Sequence, residues 1–146
     1  MPKVVHSALL PFTAQQMFDL VHDVEQYPEF LPWCREAKVI ERHGEGLVAT
    51  LELAKGGLHK SFTTRTRVVD GESIHIELVE GGFSHLTGHW VFRPLQAQAS
   101  KVEVEIDFGF SNKMANLAFG PIFNGISNGL LDAFSKRARQ VYKSAF

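Results

Sequence analysis

The sequence of this 146-residue chain predicts an α+β domain in which one curved antiparallel sheet of seven strands packs around a long C-terminal helix. Three observations lead to this prediction. Apolar and polar residues alternate through most of the chain from about residue 37 to residue 110, as in strands with one covered face. Short glycine-containing turns separate these segments, which favours antiparallel neighbours. A helical pattern of ~30 residues, or ~45 Å, then follows residue 112.

The chain begins with a strand, over residues 3–10, and continues with two short helices. The Thr13 hydroxyl can cap the backbone amide of Gln16, and the Gln16 side chain can reach back to Thr13, which is a capping box. Asp23 is expected to cap the second short helix. Pro28 keeps that helix from running far.

The following segments place apolar residues on one face and polar residues on the other, as expected for a sheet with a single covered side. Small or polar residues also occur at covered positions, and this leaves two interpretations open. They line a cavity with a few hydrogen-bonding points, or they are ordinary sheet residues, since β-branched threonine suits the pleat. The two-residue alternation alone favours the second interpretation, in which these are ordinary sheet residues. The covered small or polar residues are Thr64, Thr66 and Gly88.

The long helix is the only segment of sufficient length to cover the sheet, and Ser111 or Asn112 can cap its start. Its apolar residues recur at helical spacing. They are Phe119, Ile122, Phe123, Ile126, Leu130, Phe134 and Val141. Cations crowd its last turns, where they suit the helix dipole. They are Lys136, Arg137, Arg139 and Lys143.

The middle of this helix contains residues that disfavour helical structure. An interior glycine costs about 1 kcal/mol relative to alanine and an interior proline roughly 3 kcal/mol. Three explanations stay open: a kinked, yielding segment that admits a bulky ligand, close packing of the backbone on the sheet, or a break into two helices at Pro121. The residues concerned are Gly120, Pro121, Asn124, Gly125, Ser127, Asn128 and Gly129.

Composition excludes several classes of protein. The net charge of −1 argues against bulk electrostatic binding to nucleic acid, and no DNA partner is expected. The single cysteine, Cys34, cannot form an internal disulfide, which suits a reducing compartment. No apolar run approaches the ~18 residues of a membrane-spanning helix. We expect one soluble, cytoplasmic domain over residues 1–146.

Catalytic and metal sites are not expected. The seven histidines are scattered, and His85 and His89 lie ~13 Å apart along a strand, which makes a metal site improbable. His6 is inward and is expected to be a core histidine with a satisfied hydrogen bond. Cys34 has no neighbouring base in the sequence that would activate it as a nucleophile. We therefore predict a protein that is not an enzyme and requires no cofactor.

The segment YPEFLPWC, residues 27–34, resembles a motif of the polyketide cyclase/START-like superfamily. More narrowly, it is similar to the branch of coenzyme Q-binding proteins and the bacterial ribosome association toxin. The resemblance covers nearly the whole chain and includes LPFTAQQMFDLVHDVEQYP, FTTRTRV, LTGHWVFRP and FGFSNKMANLAFGPIF. It implies a helix-grip (START/Bet v 1-like) fold with a hydrophobic tunnel between the sheet and the C-terminal helix.

The resemblance implies two functions. The first is non-enzymatic binding of ubiquinone or a related polyprenyl lipid in the tunnel, in support of respiration. The alternative is a toxin that binds the large ribosomal subunit and blocks subunit joining, with or without an antitoxin partner. The ligand-binding residues predicted for the first function are Tyr27, Phe30, Leu31, Trp33, Leu51, Phe62, Thr64, Thr66, Ile76, Trp90, Phe108, Phe119, Ile122, Phe123 and Ile126.

Among these residues, Tyr27, Thr64 and Thr66 are the predicted hydrogen-bond donors to the quinone ring. The basic end of the long helix is the predicted contact for ribosomal RNA phosphates or for anionic lipid headgroups of the inner membrane, to which the protein would then bind peripherally. A solvated helix face is the remaining explanation of these cations. They are Lys136, Arg137, Arg139 and Lys143.

Overall fold

A computed structural model describes residues 3–44, 46–55, 57–96 and 98–142. The elements follow one another as the sequence predicts. They are β1 (Lys3–Leu10), α1 (Ala14–His22), a 3-10 helix (Val24–Glu29), β2 (Cys34–His43), β3 (Gly46–Lys55), β4 (Leu58–Val69), β5 (Ser73–Glu80), β6 (Phe83–Gln96), β7 (Ala99–Phe110) and α2 (Lys113–Val141).

The seven strands form one antiparallel sheet in the order β1-β7-β6-β5-β4-β3-β2. Strands β2 to β7 are a meander, in which each strand pairs with the next. β1 pairs with β7, with Val4 opposite Ile106. β1 and β2 are therefore the two edges, and the segment from residue 11 to residue 33 carries the chain from one edge to the other. This confirms the predicted α+β helix-grip architecture.

The start of α1 has the predicted capping box. The backbone N–H of Gln16 donates to Thr13 Oγ1 at 3.0 Å, and the N–H of Thr13 donates to Gln16 Oε1 at 2.9 Å. Phe12 and Met17 flank this cap and are both buried. The predicted cap by Asp23 is wrong, because its side chain makes no capping hydrogen bond to the 3-10 helix.

Helix α2 is continuous through Pro121, which excludes the break into two helices, one of the three explanations that the sequence left open. Asn112 caps it, since the N–H of Ala115 donates to Asn112 Oδ1 at 2.8 Å. Close packing on the sheet also fails as an explanation of the glycines, because a Cβ added at Gly125 or Gly129 would meet no atom within 4 Å. The middle of α2 thus has a weak intrinsic preference for helical structure, and its outer side carries glycines without side chains.

Two aromatic clusters hold α2 on the inner face of the sheet. The Phe123 ring lies 4.7 Å from the Phe108 ring and 5.1 Å from the Phe83 ring, between ring centroids. Farther along α2, the Phe134 ring packs edge-on against Trp90 at 5.3 Å. The apolar flank of α2 ends before Val141, which is 46% exposed although the helical spacing predicted it to be covered.

No helix in the described part of the chain is long and apolar enough to cross a bilayer.

Candidate functional site

A cavity of about 100 Å³ lies between α2 and the inner face of the sheet. An apolar cavity of about 150 Å³ is known to take up benzene, so the guest of this smaller cavity is at most a single ring. Its walls come from α1, the 3-10 helix, the segment before β2, strands β3 to β7 and α2. The lining residues are Val21, His22, Val24, Tyr27, Trp33, Leu51, Phe62, Thr64, Thr66, Ile74, Ile76, Leu86, Gly88, Trp90, Ile106, Phe123, Ile126, Ser127, Leu130 and Phe134.

Most of the residues predicted to bind a ligand face this cavity. The alternation of the strands and the helical spacing of α2 bring them together, because the covered face of every strand is turned toward the same helix. The predicted residues on the wall are Tyr27, Trp33, Leu51, Phe62, Thr64, Thr66, Ile76, Trp90, Phe123 and Ile126.

Five predicted ligand-binding residues lie off the cavity and pack behind its wall. They are Phe30, Leu31, Phe108, Phe119 and Ile122. Phe108 supports the ring of Phe123, and Phe30 packs edge-on against Phe134 at 5.2 Å. Phe119 lies near the start of α2, with the Lys60 ammonium 5.1 Å from its ring centroid.

Two of the three predicted donors use their hydroxyl groups within the protein. The Tyr27 hydroxyl donates to the backbone carbonyl of Val21, and burial raises the pKa of Tyr27 far above its ordinary value. The Thr66 hydroxyl accepts from the N–H of Leu47 at 3.2 Å. Thr64, on β4, is buried on the cavity wall. Tyr27 and Thr66 therefore stiffen the wall.

Sequence reasoning missed Ser127 as a polar group of the site. Ser127 is fully buried, and its Oγ has no hydrogen-bond partner among the described residues. Ser135, two turns later, instead donates its hydroxyl to the carbonyl of Leu131 at 2.9 Å. The spacing in the sequence could have identified Ser127, because it lies four residues from both Phe123 and Leu131 in the buried stripe of α2.

His22 is the second polar group that sequence reasoning missed. It is the last residue of α1, and its ring stacks on Phe18 with centroids 5.4 Å apart. Its Nδ1 is buried and has no partner in the described part of the chain. Burial, with a smaller contribution from Arg42, lowers the pKa of His22. An unpaired buried polar atom costs about 1–3 kcal/mol, so both His22 and Ser127 favour a ligand that pairs with them.

The other titratable groups considered from the sequence are engaged elsewhere. Burial raises the pKa of the Cys34 thiol to about 11, and this buried thiol donates to the carbonyl of Glu36. His6 shares a hydrogen bond of 2.8 Å with Asn128 Oδ1, and His85 shares one of 3.0 Å with Asp107. Among the described residues, no three His, Cys, Asp or Glu side chains are grouped to hold a metal ion.

The cations of the predicted basic contact at the end of α2 differ in their exposure and in their contacts. Lys136 is exposed and pairs with Asp132 at 3.1 Å. The Arg137 guanidinium lies 5.1 Å from the centroid of the Phe30 ring and is half-buried. Arg139 is exposed. The fourth predicted cation, Lys143, lies outside the described residues.

Comparison with known proteins places these features in a family. Residues 10–135 match the family described as polyketide cyclase / dehydrase and lipid transport. The chain is 47% identical over 142 residues to the ribosome association toxin RatA of Vibrio cholerae, covering 97% of this chain and 99% of that protein. It is 26% identical to the mitochondrial coenzyme Q-binding protein COQ10 homolog B of Xenopus laevis, covering 93% of this chain and 57% of that protein.

The fold also matches a solved structure. The ZhuI aromatase/cyclase from Streptomyces sp. R1128 superimposes with a TM-score of 0.80, at 18% sequence identity, covering 99% of this chain and 98% of that one. At this level of identity the likeness concerns the fold alone. It agrees with the helix-grip arrangement of sheet and C-terminal helix described above.

Proposed function

This chain belongs to the polyketide cyclase / dehydrase and lipid transport family, in the branch of ribosome association toxins and coenzyme Q-binding proteins, and on that premise we propose that it binds the ribosome. We place its contact on the large subunit, where it hinders subunit joining and so slows translation. The observation that carries this proposal is the 47% identity to a ribosome association toxin over nearly the full length of both chains.

This order reverses the one that the sequence alone suggested, which put quinone binding first. The coenzyme Q-binding relative is 26% identical and extends well beyond this chain, which covers 57% of it. The toxin relative matches almost end to end. Similarity of that extent favours a shared surface as well as a shared fold, and ribosome binding requires a surface.

We assign the RNA contact to the exposed cations near the C-terminal end of α2, Lys136 and Arg139. Neutralising phosphates releases counterions, which gives binding that weakens steeply with salt. The chain as a whole carries a net charge of −1, so such binding must depend on a local group of cations. Ribosome binding implies a cytoplasmic protein. The same cations would attract anionic headgroups, so peripheral contact with the inner membrane stays a prediction.

The test of this proposal is sedimentation of cell extracts through a sucrose gradient. The chain should co-sediment with the large subunit, and its overproduction should reduce intact 70S ribosomes and increase free subunits. An unchanged ribosome profile, with the chain confined to the soluble top fractions, would contradict the proposal.

A second candidate function is supported by the cavity itself: we propose that it holds a hydrophobic ligand, with the ring of ubiquinone or a related lipid as the first choice. Each buried methylene-sized group of such a ligand contributes about 0.8 kcal/mol. A volume of about 100 Å³ is smaller than that of a cavity known to hold benzene, so the substituted ring would have to widen the cavity and a polyprenyl tail could not enter it as it stands. The tail would require the weak middle of α2 to move.

Mass spectrometry of protein purified gently from its own cells tests the ligand proposal. A quinone should travel with the wild-type chain and be lost from Thr64→Trp, because an indole at position 64 fills the cavity. Circular dichroism should show that the variant keeps its fold. Retention of quinone by the folded variant would place the ligand elsewhere.

We propose that the cavity binds without catalysing a reaction and requires no cofactor. General acid–base chemistry needs a titratable group near the substrate. Among the lining residues, the ionisable side chains are those of His22 and Tyr27, and the Tyr27 hydroxyl already donates to Val21. Incubation of the chain with candidate substrates should yield no product, and any turnover that is lost with Thr64→Trp would contradict this.

A further inference from the structure

We infer that the cavity selects a neutral single-ring compound that carries a hydroxyl or carbonyl oxygen, and that Ser127 and His22 bind this oxygen. The inference rests on the ligand binding proposed above and names the chemical class of the ligand. It starts from two atoms, Ser127 Oγ and His22 Nδ1, which are the buried side-chain atoms of the lining that have no hydrogen-bond partner among the described residues.

Ser127 lies on the buried face of α2, among the residues that line the cavity. A buried helical serine commonly donates its hydroxyl to the carbonyl four residues earlier, which competes with other partners. Ser135 does so with Leu131. Ser127 makes no such bond to Phe123, although it is equally buried in the same helix and lines the cavity. Its hydroxyl is therefore available to donate to a ligand oxygen or to accept from one.

His22 approaches the cavity from α1. Its Nδ1 can accept a hydrogen bond from a ligand hydroxyl or, in the other tautomer, donate one to a ligand carbonyl. Neighbouring polar groups do not satisfy it, because the Tyr27 hydroxyl is bonded to Val21 and the Thr66 hydroxyl to Leu47. The two unpaired atoms thus both belong to helices, whereas the sheet side of the cavity contributes the Thr64 and Thr66 hydroxyl groups among otherwise apolar side chains. A ring would turn its oxygen toward α1 and α2.

The remaining walls exclude charged ligands. No Lys, Arg, Asp or Glu lies among the described lining residues. A carboxylate or ammonium group would lose its hydration there without gaining a counter-charge, which is strongly unfavourable. The volume of about 100 Å³ limits the guest to one ring with small substituents. Phenols and tail-less quinones meet all three conditions: neutral, single-ring and oxygen-bearing.

The affinities of the whole chain for p-cresol and toluene test this inference, since these two rings differ by one hydroxyl group. Titration calorimetry or ligand-observed NMR should find that p-cresol binds roughly tenfold tighter than toluene, as one added buried hydrogen bond would give. Ser127→Ala should reduce that ratio at least threefold while leaving toluene bound. The double variant Ser127→Ala/His22→Leu should remove the preference.

Ser135→Ala is the matched control, because it removes another buried hydroxyl from α2, one that is bonded within the helix. It should leave the p-cresol to toluene ratio unchanged. Equal wild-type affinities, or a wild-type ratio in Ser127→Ala, would overturn the inference. If a quinone co-purifies while p-cresol has no advantage, the ligand-binding function stands and the inference fails. If neither ring binds and no quinone co-purifies, both fail, and the ribosome gradient remains an independent test.

Discussion

Phe134 of α2 and Trp90 of β6 pack edge to face, with ring centroids 5.3 Å apart and ring planes at 84°. Both side chains are almost fully buried. Edge-to-face pairs of this kind contribute beyond the area that they bury. Because both rings also line the cavity, the contact that fastens α2 to the sheet is one of the walls of the site.

Phe134→Ala should therefore lower the free energy of unfolding by about 3–5 kcal/mol, the usual cost of deleting a fully buried ring. Urea denaturation followed by circular dichroism measures this loss. Phe119→Ala is the control, since Phe119 lies on the same helix but is half-buried. A Phe134→Ala cost no larger than the Phe119→Ala cost would mean that the Trp90 contact does not fasten the helix.

Substitution of the glycines on the outer side of α2 should have the opposite effect and raise the free energy of unfolding. Gly125→Ala and Gly129→Ala should each stabilise the protein by about 1 kcal/mol, because a Cβ at either position meets no atom within 4 Å and alanine favours the helix. Thermal unfolding should show a higher midpoint for both variants. Unchanged or lower midpoints would mean that the helix geometry at these residues already departs from what alanine accepts.

Gly46→Ala is the matched counter-example on a strand. A Cβ at Gly46 would lie 1.8 Å from the backbone carbonyl oxygen of Thr66, so the two strands would have to separate. This variant should be destabilised while the helix variants gain stability. The contrast separates the effect of local space from the general preference for alanine over glycine.

The strand faces and the start of α1 could be predicted because they depend on short-range patterns. A period of two defines the covered side of a strand, and the Thr13–Gln16 capping box needs only four consecutive residues. The continuity of α2 through Pro121 could not be predicted in this way. Local propensity argued for a break, whereas tertiary packing of Phe123 and Ile126 on the sheet keeps the segment helical.

The polar groups of the cavity were harder still to predict. Periodicity placed Thr64 and Thr66 on the covered face, but it could not indicate that the Thr66 hydroxyl is bonded to Leu47. Nor could it indicate that the Ser127 hydroxyl lacks the bond to its own helix that Ser135 makes. Side-chain direction and the filling of the interior are properties of the assembled fold, and they decide which hydroxyl groups a ligand can use.

The thiol of Cys34 should react slowly in the folded protein. Burial raises its pKa to about 11, so little thiolate is present at pH 8. Alkylation by iodoacetamide at pH 8 should be at least tenfold slower for the native chain than for the chain unfolded in guanidinium chloride. Equal rates in the two states would contradict both the burial and the raised pKa.

The Cys34 thiol also contributes to the loss of stability at alkaline pH. Its folded pKa is raised above the ordinary value of 9.0, so its contribution to stability is complete below pH 9 and is lost as the pH rises through about 11. The free energy of unfolding should fall over this range, and Cys34→Ala should fall less steeply. A parallel decline in both chains would assign the loss to other groups, Tyr27 among them.

His22 should make the protein less stable in mild acid. Burial and then Arg42 lower its pKa, outweighing the opposing effect of the nearby carboxylates of Asp19, Asp23 and Asp70. The unfolded chain therefore takes up a proton near pH 6.5 before the folded chain does. The stability that the neutral ring provides is complete above pH 6.5 and is lost as the pH falls.

Urea denaturation at pH 7.5 and pH 5 checks this expectation. The difference between the two pH values should be smaller for His22→Gln than for the wild type. His43→Gln is the control, because His43 is exposed at the end of β2. If His22→Gln keeps the wild-type difference, another group causes the acid instability.

The basic end of α2 should determine how ribosome binding responds to salt. Lys136→Ala with Arg139→Ala should weaken co-sedimentation and reduce the slope of log affinity against log salt by about two, one for each lost phosphate contact. Arg93→Ala with Lys101→Ala is the control of equal charge, since Arg93 is exposed, Lys101 is half-buried, and both lie within 3.6 Å of Glu103 on another surface. An equal loss in both double variants would indicate a general effect of charge, and no loss in the α2 variant would move the RNA contact to a different face.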